Sequence, residues 1–429
     1  AKGLMVKVDE GYVHRIATSS RGGGVIEPQV MKQWFISVTK NFKLKTSNIK
    51  GIPAGTDTNL KEIMLKAVEG GQVNIIPERF KSEYFHWIKN LRDWCISRQI
   101  WYGHRISVWY RQNSQLKTEN SKQEIVVGEK PTGNDWEQDS DTLDTWFSSG
   151  LWTFSTLGWP DACKQTKNSK LRTQNICDPV PGSDLEQFHP TTLLVTAYDI
   201  LFFWVARMVL MTGFFLGDVP FKTAYIHGVV RDKDRKKMSK SKGNVIDPLG
   251  VAETYGTDAV RMALVVGNAP GNDPVISEDK IRGYRNFATK VWNIGRFLDM
   301  NGVFKPSEKG KVTGEKDKER IKEFDALHAK VTELMDTYQF HEASNEMYHY
   351  LWHTFADKIL EEVKPLLRQD SGGQARSEAD AASARAMLCE IFRRSITLLH
   401  PFMPFVTEAM YQEYLANGSV HNMLMIAPW

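Results

Sequence analysis

The segment from Arg231 to Gly243, Arg-Asp-Lys-Asp-Arg-Lys-Lys-Met-Ser-Lys-Ser-Lys-Gly, sets seven basic side chains against two acidic ones within thirteen positions. Cations at that density suit phosphoryl or nucleotidyl transfer, where positioned positive charge offsets the negative charge that develops as a phosphoanhydride breaks. Lys237 and Lys240 can neutralise a triphosphate, Ser239 and Ser241 add hydrogen bonds, and Gly243 keeps the loop mobile. Charge alone also fits a solvated turn, so the loop needs a partner site to mean more. The stretch Thr196-Ala-Tyr-Asp-Ile-Leu-Phe-Phe-Trp-Val-Ala-Arg207 offers one. Asp199 stands where a carboxylate can cap a helix or face a ligand. Ile200 and Trp204, four residues apart, share a helix face and make either a small apolar wall or ordinary core.

These residues need elements to hold them. Lys222 to Val230 reads as a strand feeding directly into the basic loop, and loops at the carboxyl ends of parallel strands are where α/β sheets bind ligands. Thr191 to Val195 reads as a buried strand, followed by a helix from about Asp199 to Met211. Asp247-Pro248 starts a helix with a carboxylate N-cap and Pro at the first helical position. Short apolar runs alternate with helical patterns from residue 31 to about 275, which predicts an α/β sheet. Beyond that the pattern is helical throughout. Ile281, Tyr284, Phe287, Val291, Ile294 and Leu298 recur at three- and four-residue spacing, as do Ile321 to Tyr338 and Met347 to Val363. Met387 to Tyr414 forms a further set, interrupted by Pro401 and Pro404, with Gln369 to Ala384 read as a polar connection. About four antiparallel helices make a bundle. The fold class is therefore α/β plus all-α.

A chain of 429 residues is long enough for two or three domains, and 41% hydrophobic with 25% charged residues excludes a disordered chain. The net charge of +4 excludes a polycation that coats nucleic acid, so any RNA contact must come from local patches. The four cysteines, Cys95, Cys163, Cys177 and Cys389, include no Cys-x-x-Cys pair. Neither a zinc knuckle nor a disulfide is expected from that spacing, and a reducing cytoplasm fits it. Ala1 to Glu10 lacks the pattern of a signal or transit peptide. The apolar stretch Leu193 to Leu216 contains Asp199 and Arg207, and reads as a buried strand and helix rather than a membrane span.

Lys237-Met-Ser-Lys-Ser241, followed by Lys242-Gly-Asn244, is similar to the second signature of class I aminoacyl-tRNA synthetases. By that resemblance the loop grips the pyrophosphate of ATP, carried with Mg²⁺, while an amino acid carboxylate attacks the α-phosphate. His227-Gly228 match the family position that contacts adenine, although a lone strand histidine is more often structural. The Thr196 to Arg207 string resembles the valyl form of its element, unlike the isoleucyl and leucyl forms. Trp94 to Ile106, Leu143 to Gly150, Trp152 to Pro160, Glu27-Pro28 and Gln33-Trp-Phe35 agree with it. The resemblance implies that Ile200, Trp204 and Trp101 line a valine side-chain pocket, and that Asp199 with Thr196 faces the adenylate.

Gln339 to Ala343, Leu351-Trp352, Phe355-Ala-Asp357, His400 to Phe405 and Ala427-Pro-Trp429 resemble the family's anticodon-binding bundle. The expected organisation is thus an exit segment from a missing editing domain (1–30), the second half of a Rossmann-like catalytic domain (31–275) and an anticodon-binding bundle (276–429). The implied partners are valine, ATP and the tRNA for valine, with the protein a cytoplasmic monomer and no membrane involved. The sequence also departs from the family. The first signature, His-Ile-Gly-His, is nowhere in the chain, so a partial synthetase inactive by itself is expected. Thr18 to Gly24 lacks the cysteines of a zinc-binding turn, so no zinc is expected. Ala197 stands where Gly is usual, and Asp161 to Gln187 reads as a surface insertion. Two other readings stay open: a non-catalytic tRNA-binding protein derived from a synthetase, and the isoleucyl enzyme, which would need different residues after Asp199.

Overall fold

The computed structural model describes residues 10–13, 15–19, 22–111, 124–164, 177–239, 243–305, 311–367, 378–416 and 422–429. Its centre is a three-stranded parallel sheet. Asn74–Ile76 (β1), Thr191–Ala197 (β2) and Phe221–His227 (β3) pair in the order β2-β3-β1, with Leu194 opposite Ala224 and Ala197 opposite His227. The run Phe-Lys-Thr-Ala-Tyr-Ile-His of β3 is nearly continuous in buried residues, as a central parallel strand requires. Ala224 and Ile226, with Leu194 and Ile75 beside them, meet Leu60–Glu69 (α1), Arg79–Lys89 (α2) and Ala206–Phe215 (α3), whose Met64, Tyr84 and Val209 close the same core. Gly213 lets α1 and α3 approach, since a Cβ there would sit 2.3 Å from Cγ2 of Ile63.

Both sequence-predicted strands are present, β2 running two residues further than expected and β3 ending three earlier. The helix expected from Asp199 does not start as a regular α-helix. Tyr198–Ile200 forms a 3₁₀ turn and Leu201–Val205 a π turn before α3 begins. Side-chain stacking supports that wide turn, Phe202 lying on Trp87 at 4.3 Å and Phe203 on Trp146 at 5.8 Å. Tyr198–Phe215 is long and apolar enough to qualify as a membrane span by length and composition alone, yet Leu201, Val205 and Met208 to Met211 are buried in the sheet's core.

Pro248–Tyr255 (α4) starts as expected, the Asp247 carboxylate accepting from the N–H groups of Leu249 and Gly250. Thr257–Val265 (α5) follows and leads to the bundle, Glu278–Met300 (α6), Glu315–Asp336 (α7), Phe340–His349 (α8), Glu361–Leu367 (α9), Glu378–Leu399 (α10) and Pro404–Tyr414 (α11). The third periodic set is helical but passes through a π-helical stretch, Tyr350–Leu360, between α8 and α9. One expectation needs correcting: α10 begins at Glu378, so part of the predicted connection is helix. Alanine is the strongest helix former, and Ala381, Ala384, Ala386 and Leu388 are buried against the bundle.

Cys163 and Cys177 form a disulfide with Cα atoms 5.1 Å apart, contrary to the expectation of none. Spacing hid the pair because the antiparallel bridge Cys163–Pro179, in the predicted insertion, brings the two together. Residues 165–176 of that insertion lie outside the described residues.

Helix α5 belongs to two cores. Met262, with Val266 just beyond the helix, enters the bundle core, while Ala259 and Ala263 pack with Val251, Ile276 and Ile281. Its buried Asp258 accepts from the N–H groups of Phe405 at 3.1 Å and Val406 at 2.7 Å, capping α11 from another element. Arg261 donates to the carbonyls of Pro401 and Phe402. Asp258→Ala should therefore destabilise the chain by about 1–2 kcal/mol, the usual cost of a lost cap, measured by urea unfolding followed through tryptophan fluorescence.

Candidate active site

The pairing of Ala197 with His227 sets the ends of β2 and β3 side by side at the carboxyl edge of the sheet. The two elements singled out by sequence leave from there, one toward Asp199 and the other toward the basic loop. They meet again where Lys237 Nζ lies 3.4 Å from Asp199 Oδ2, with both side chains about half exposed. An exposed pair of this kind contributes about 0–1 kcal/mol, so an incoming phosphate can displace it at little cost.

The stem of the loop is closed by an antiparallel bridge between Arg231 and Lys237. Inside it, the Asp232 carboxylate accepts from the N–H groups of Asp234 at 3.0 Å and Lys236 at 2.8 Å, and Arg235 takes a positive φ of 60°. Asn244 Nδ2 donates to Asp232 at 2.7 Å, and Asn244 Oδ1 accepts from the Ser239 N–H at 3.0 Å. The Asn244 hydrogen bond, with those from the Lys236 and Asp234 backbones, holds the Asp232 carboxyl below the usual carboxylate range. Lys240 and Ser241 lie outside the described residues.

His227 Nδ1 lies 2.7 Å from the Gly228 carbonyl oxygen, which can only accept, so Nδ1 carries the proton and Nε2 is left to serve a ligand. His227, Gly228 and Val230 line a cavity of about 290 Å³ together with Asn272, Phe340 and His341. The bundle's Phe340 also packs on Tyr225, the outward neighbour of this edge, at 5.6 Å.

The predicted pocket residues are not all brought together. Trp204 donates from Nε1 to the Ser149 carbonyl at 3.1 Å and lies 5.9 Å from Trp152, which fixes its ring. Behind it Arg207 lies over the Trp94 ring at 4.1 Å, and Trp94 Nε1 donates to Asp144 at 2.9 Å. Burial pulls the Arg207 guanidinium down to about 10, against the opposing pull of Asp144. Trp101 is 96% exposed, so it is not packed against Ile200 or Trp204. Thr196 is buried and registers with Ile226, so its side chain shares the face turned toward the helices rather than the cleft.

Sequence reasoning missed Asp273. It accepts from the Val229 N–H at 2.8 Å, from Arg231 Nε and from the Tyr198 hydroxyl at 3.3 Å. Among the described residues no group of three or more His, Cys, Asp or Glu side chains is placed to hold a metal.

Residues 18–276 match the family model described as tRNA synthetases class I (I, L, M and V). The chain belongs to the class I tRNA synthetases. Residues 317–429 of this synthetase chain match the anticodon-binding domain of tRNA ligases. It is 40% identical over 431 residues to a valine–tRNA ligase of Dehalococcoides mccartyi strain CBDB1, covering all of this chain and 43% of that protein. A valine–tRNA ligase of Bacillus subtilis strain 168 is 38% identical over 433 residues, with the same 43% covered. The synthetase chain thus spans under half the length of the curated relatives it matches. Among solved structures, a Mycobacterium tuberculosis methionyl-tRNA synthetase in complex with methionyl-adenylate aligns with a TM-score of 0.59 at 21% identity, over 90% of this chain and 70% of that one. A leucyl enzyme of Agrobacterium radiobacter K84, in a ternary complex with tRNA, gives 0.56 at 20% identity over 79% of this chain and 42% of that one. At these identities the likeness is one of fold.

The synthetase loop depends on Asn244 for its shape. Asn244→Ala should speed tryptic cleavage at Arg235 to Lys237 by about fivefold, the factor that accompanies about 1 kcal/mol of local hydrogen bonding. Cleavage rates mapped by mass spectrometry check this, with the bundle's own cleavage pattern unchanged.

Proposed function

We propose that this chain supplies the pyrophosphate-gripping half of the active site and the RNA-binding bundle of an enzyme that joins valine to its tRNA through valyl-adenylate. The observation that carries the reading is the meeting of Lys237 with Asp199 at the carboxyl edge of β2 and β3. ATP binding draws Lys237 from Asp199 to the phosphates, which releases the Asp199 carboxylate to face the adenylate. The valine carboxylate attacks the α-phosphate, and Lys237 and Lys240 offset the charge on the departing pyrophosphate. Mg²⁺, as part of the nucleotide substrate, would add to the charge that Lys237 and Lys240 supply. Asp199-Ile200 and Trp204, the valine-type string, and the names of the relatives support valine as the amino acid. Ile200 and the fixed Trp204 limit side-chain size, a discrimination of about 1–3 kcal/mol per methylene. A hydroxyl of the terminal ribose of the tRNA held by the bundle then attacks the valyl carbonyl, and AMP departs with the electrons of the broken anhydride bond. The need for tRNA and ATP argues for a cytoplasmic protein.

The chain carries half of the site. β2 is an edge strand of a parallel sheet and its Val195 is 50% exposed, whereas parallel strands are ordinarily buried on both faces. By itself it should show no amino-acid-dependent ATP–pyrophosphate exchange. Completed with the remaining portion of its longer relatives, it should exchange with valine. Exchange with isoleucine or leucine but not with valine overturns the reading. In the completed protein Lys240→Ala should slow adenylate formation at least about tenfold with little change in valine affinity, because its charge is needed mainly in the transition state. Pre-steady-state rates measured at saturating valine check this.

A further inference from the structure

Three donors from two separate pieces of chain converge on one carboxylate behind the loop. Asp273 Oδ1 accepts from the Val229 N–H at 2.8 Å, just past β3. Its Oδ2 pairs with Arg231 Nε at the loop stem and accepts from the Tyr198 hydroxyl at 3.3 Å. Tyr198 immediately precedes Asp199 and stacks on Phe80 at 6.0 Å with planes 14° apart, so it is fixed from the side of α2 as well. The backbone around Asp273 is tied to the same stem: the Arg231 N–H donates to the Pro274 carbonyl at 2.8 Å, and the Ile276 N–H donates to the Arg231 carbonyl at 3.1 Å. Gly228 closes the fit, since a Cβ there would lie 2.0 Å from the Asn272 carbonyl oxygen. Arg79 donates to the Asn272 side chain at 3.1 Å and anchors the segment to α2.

We infer that Asp273 is a positioning residue that fixes the stem of the Lys237 loop relative to Tyr198-Asp199, and so sets the distance across which nucleotide phosphates are gripped. The inference rests on the proposed function for its chemistry, but its geometry stands apart from the identity of the amino acid. Both side chains of the Lys237–Asp199 contact are about half exposed; the separation of their backbones is set by the shared carboxylate behind them. Burial opposes the charge on Asp273, yet the hydrogen bonds from Val229, Arg231 and Tyr198 hold its carboxyl below the usual range. The link therefore stays charged at neutral pH. Its contribution is present above the ordinary carboxylate pKa and is lost as pH falls through the lowered one.

The test has two arms. In the chain as it stands, Asp273→Asn keeps the shape but weakens the bond to Arg231. Hydrogen exchange followed by mass spectrometry should show peptides covering 229–239 losing protection about tenfold while peptides from 315–336 of the bundle are unchanged. Unchanged exchange at 229–239, or a loss spread equally over the bundle, overturns the inference. In the completed protein the same substitution should lower kcat for valine-dependent pyrophosphate exchange about tenfold or more with the KM for valine within about twofold, as expected of misplaced rather than missing groups. Asp273→Glu should recover part of that loss, whereas a parallel rise in the KM for valine with kcat unchanged counts against positioning. Failure of the wild-type completed protein to use valine would sink the functional reading while leaving the first arm to judge Asp273.

Discussion

The pairing of β2 with β3 is the constraint on which the site depends. Parallel register puts Ala197 beside His227, and two strand ends that finish level deliver their next residues to one edge. Asp199 follows two positions after one strand and Lys237 ten after the other, and the two side chains meet there. The register is held by side chains with no chemistry of their own: Leu194, Ala224 and Ile226 on the core face, closed by α1, α2 and α3. A slip by one residue would turn Ala224 and Ile226 outward and send both connections away from each other.

Above that edge the electrostatics are deliberately loose in one place and tight in another. Lys237 and Asp199 share a contact that water largely screens, while Asp232, Asn244 and Asp273 bind backbone and guanidinium groups in short, well-directed hydrogen bonds. The stem and the frame are thereby fixed, and the residues that must change partners are the ones left exposed. Such a division suits a loop that has to release what it grips.

Much of this was readable from the residues. Continuous apolar runs gave β2 and β3, three- and four-residue periodicity gave the bundle helices, and the density of lysine marked the loop. The start of α10 was misread because alanine and serine look like linker composition, although buried Ala384 and Leu388 make a helix face. Local spacing says nothing about Cys163 and Cys177, which are brought together beside the Cys163–Pro179 bridge. Asp273 was hidden for a similar reason: within Gly267-Asn-Ala-Pro-Gly-Asn-Asp-Pro274 it reads as turn chemistry, and its partners lie 42 to 75 residues away. Trp101, by contrast, was legible only by resemblance and stands in solvent here.

Helix α5 gives the chain a mechanical property that composition would not suggest. Its residues are shared, Ala259 and Ala263 with the layer under the loop and Met262 with the bundle, while Asp258 and Arg261 grip the turn between α10 and α11. Cutting between the sheet and the bundle near residue 275 would strip the bundle of a helix it counts as its own and leave the α11 amides bare. The bundle and the layer beneath the basic loop are thus joined through one helix, packed into both and hydrogen-bonded to the α10–α11 turn.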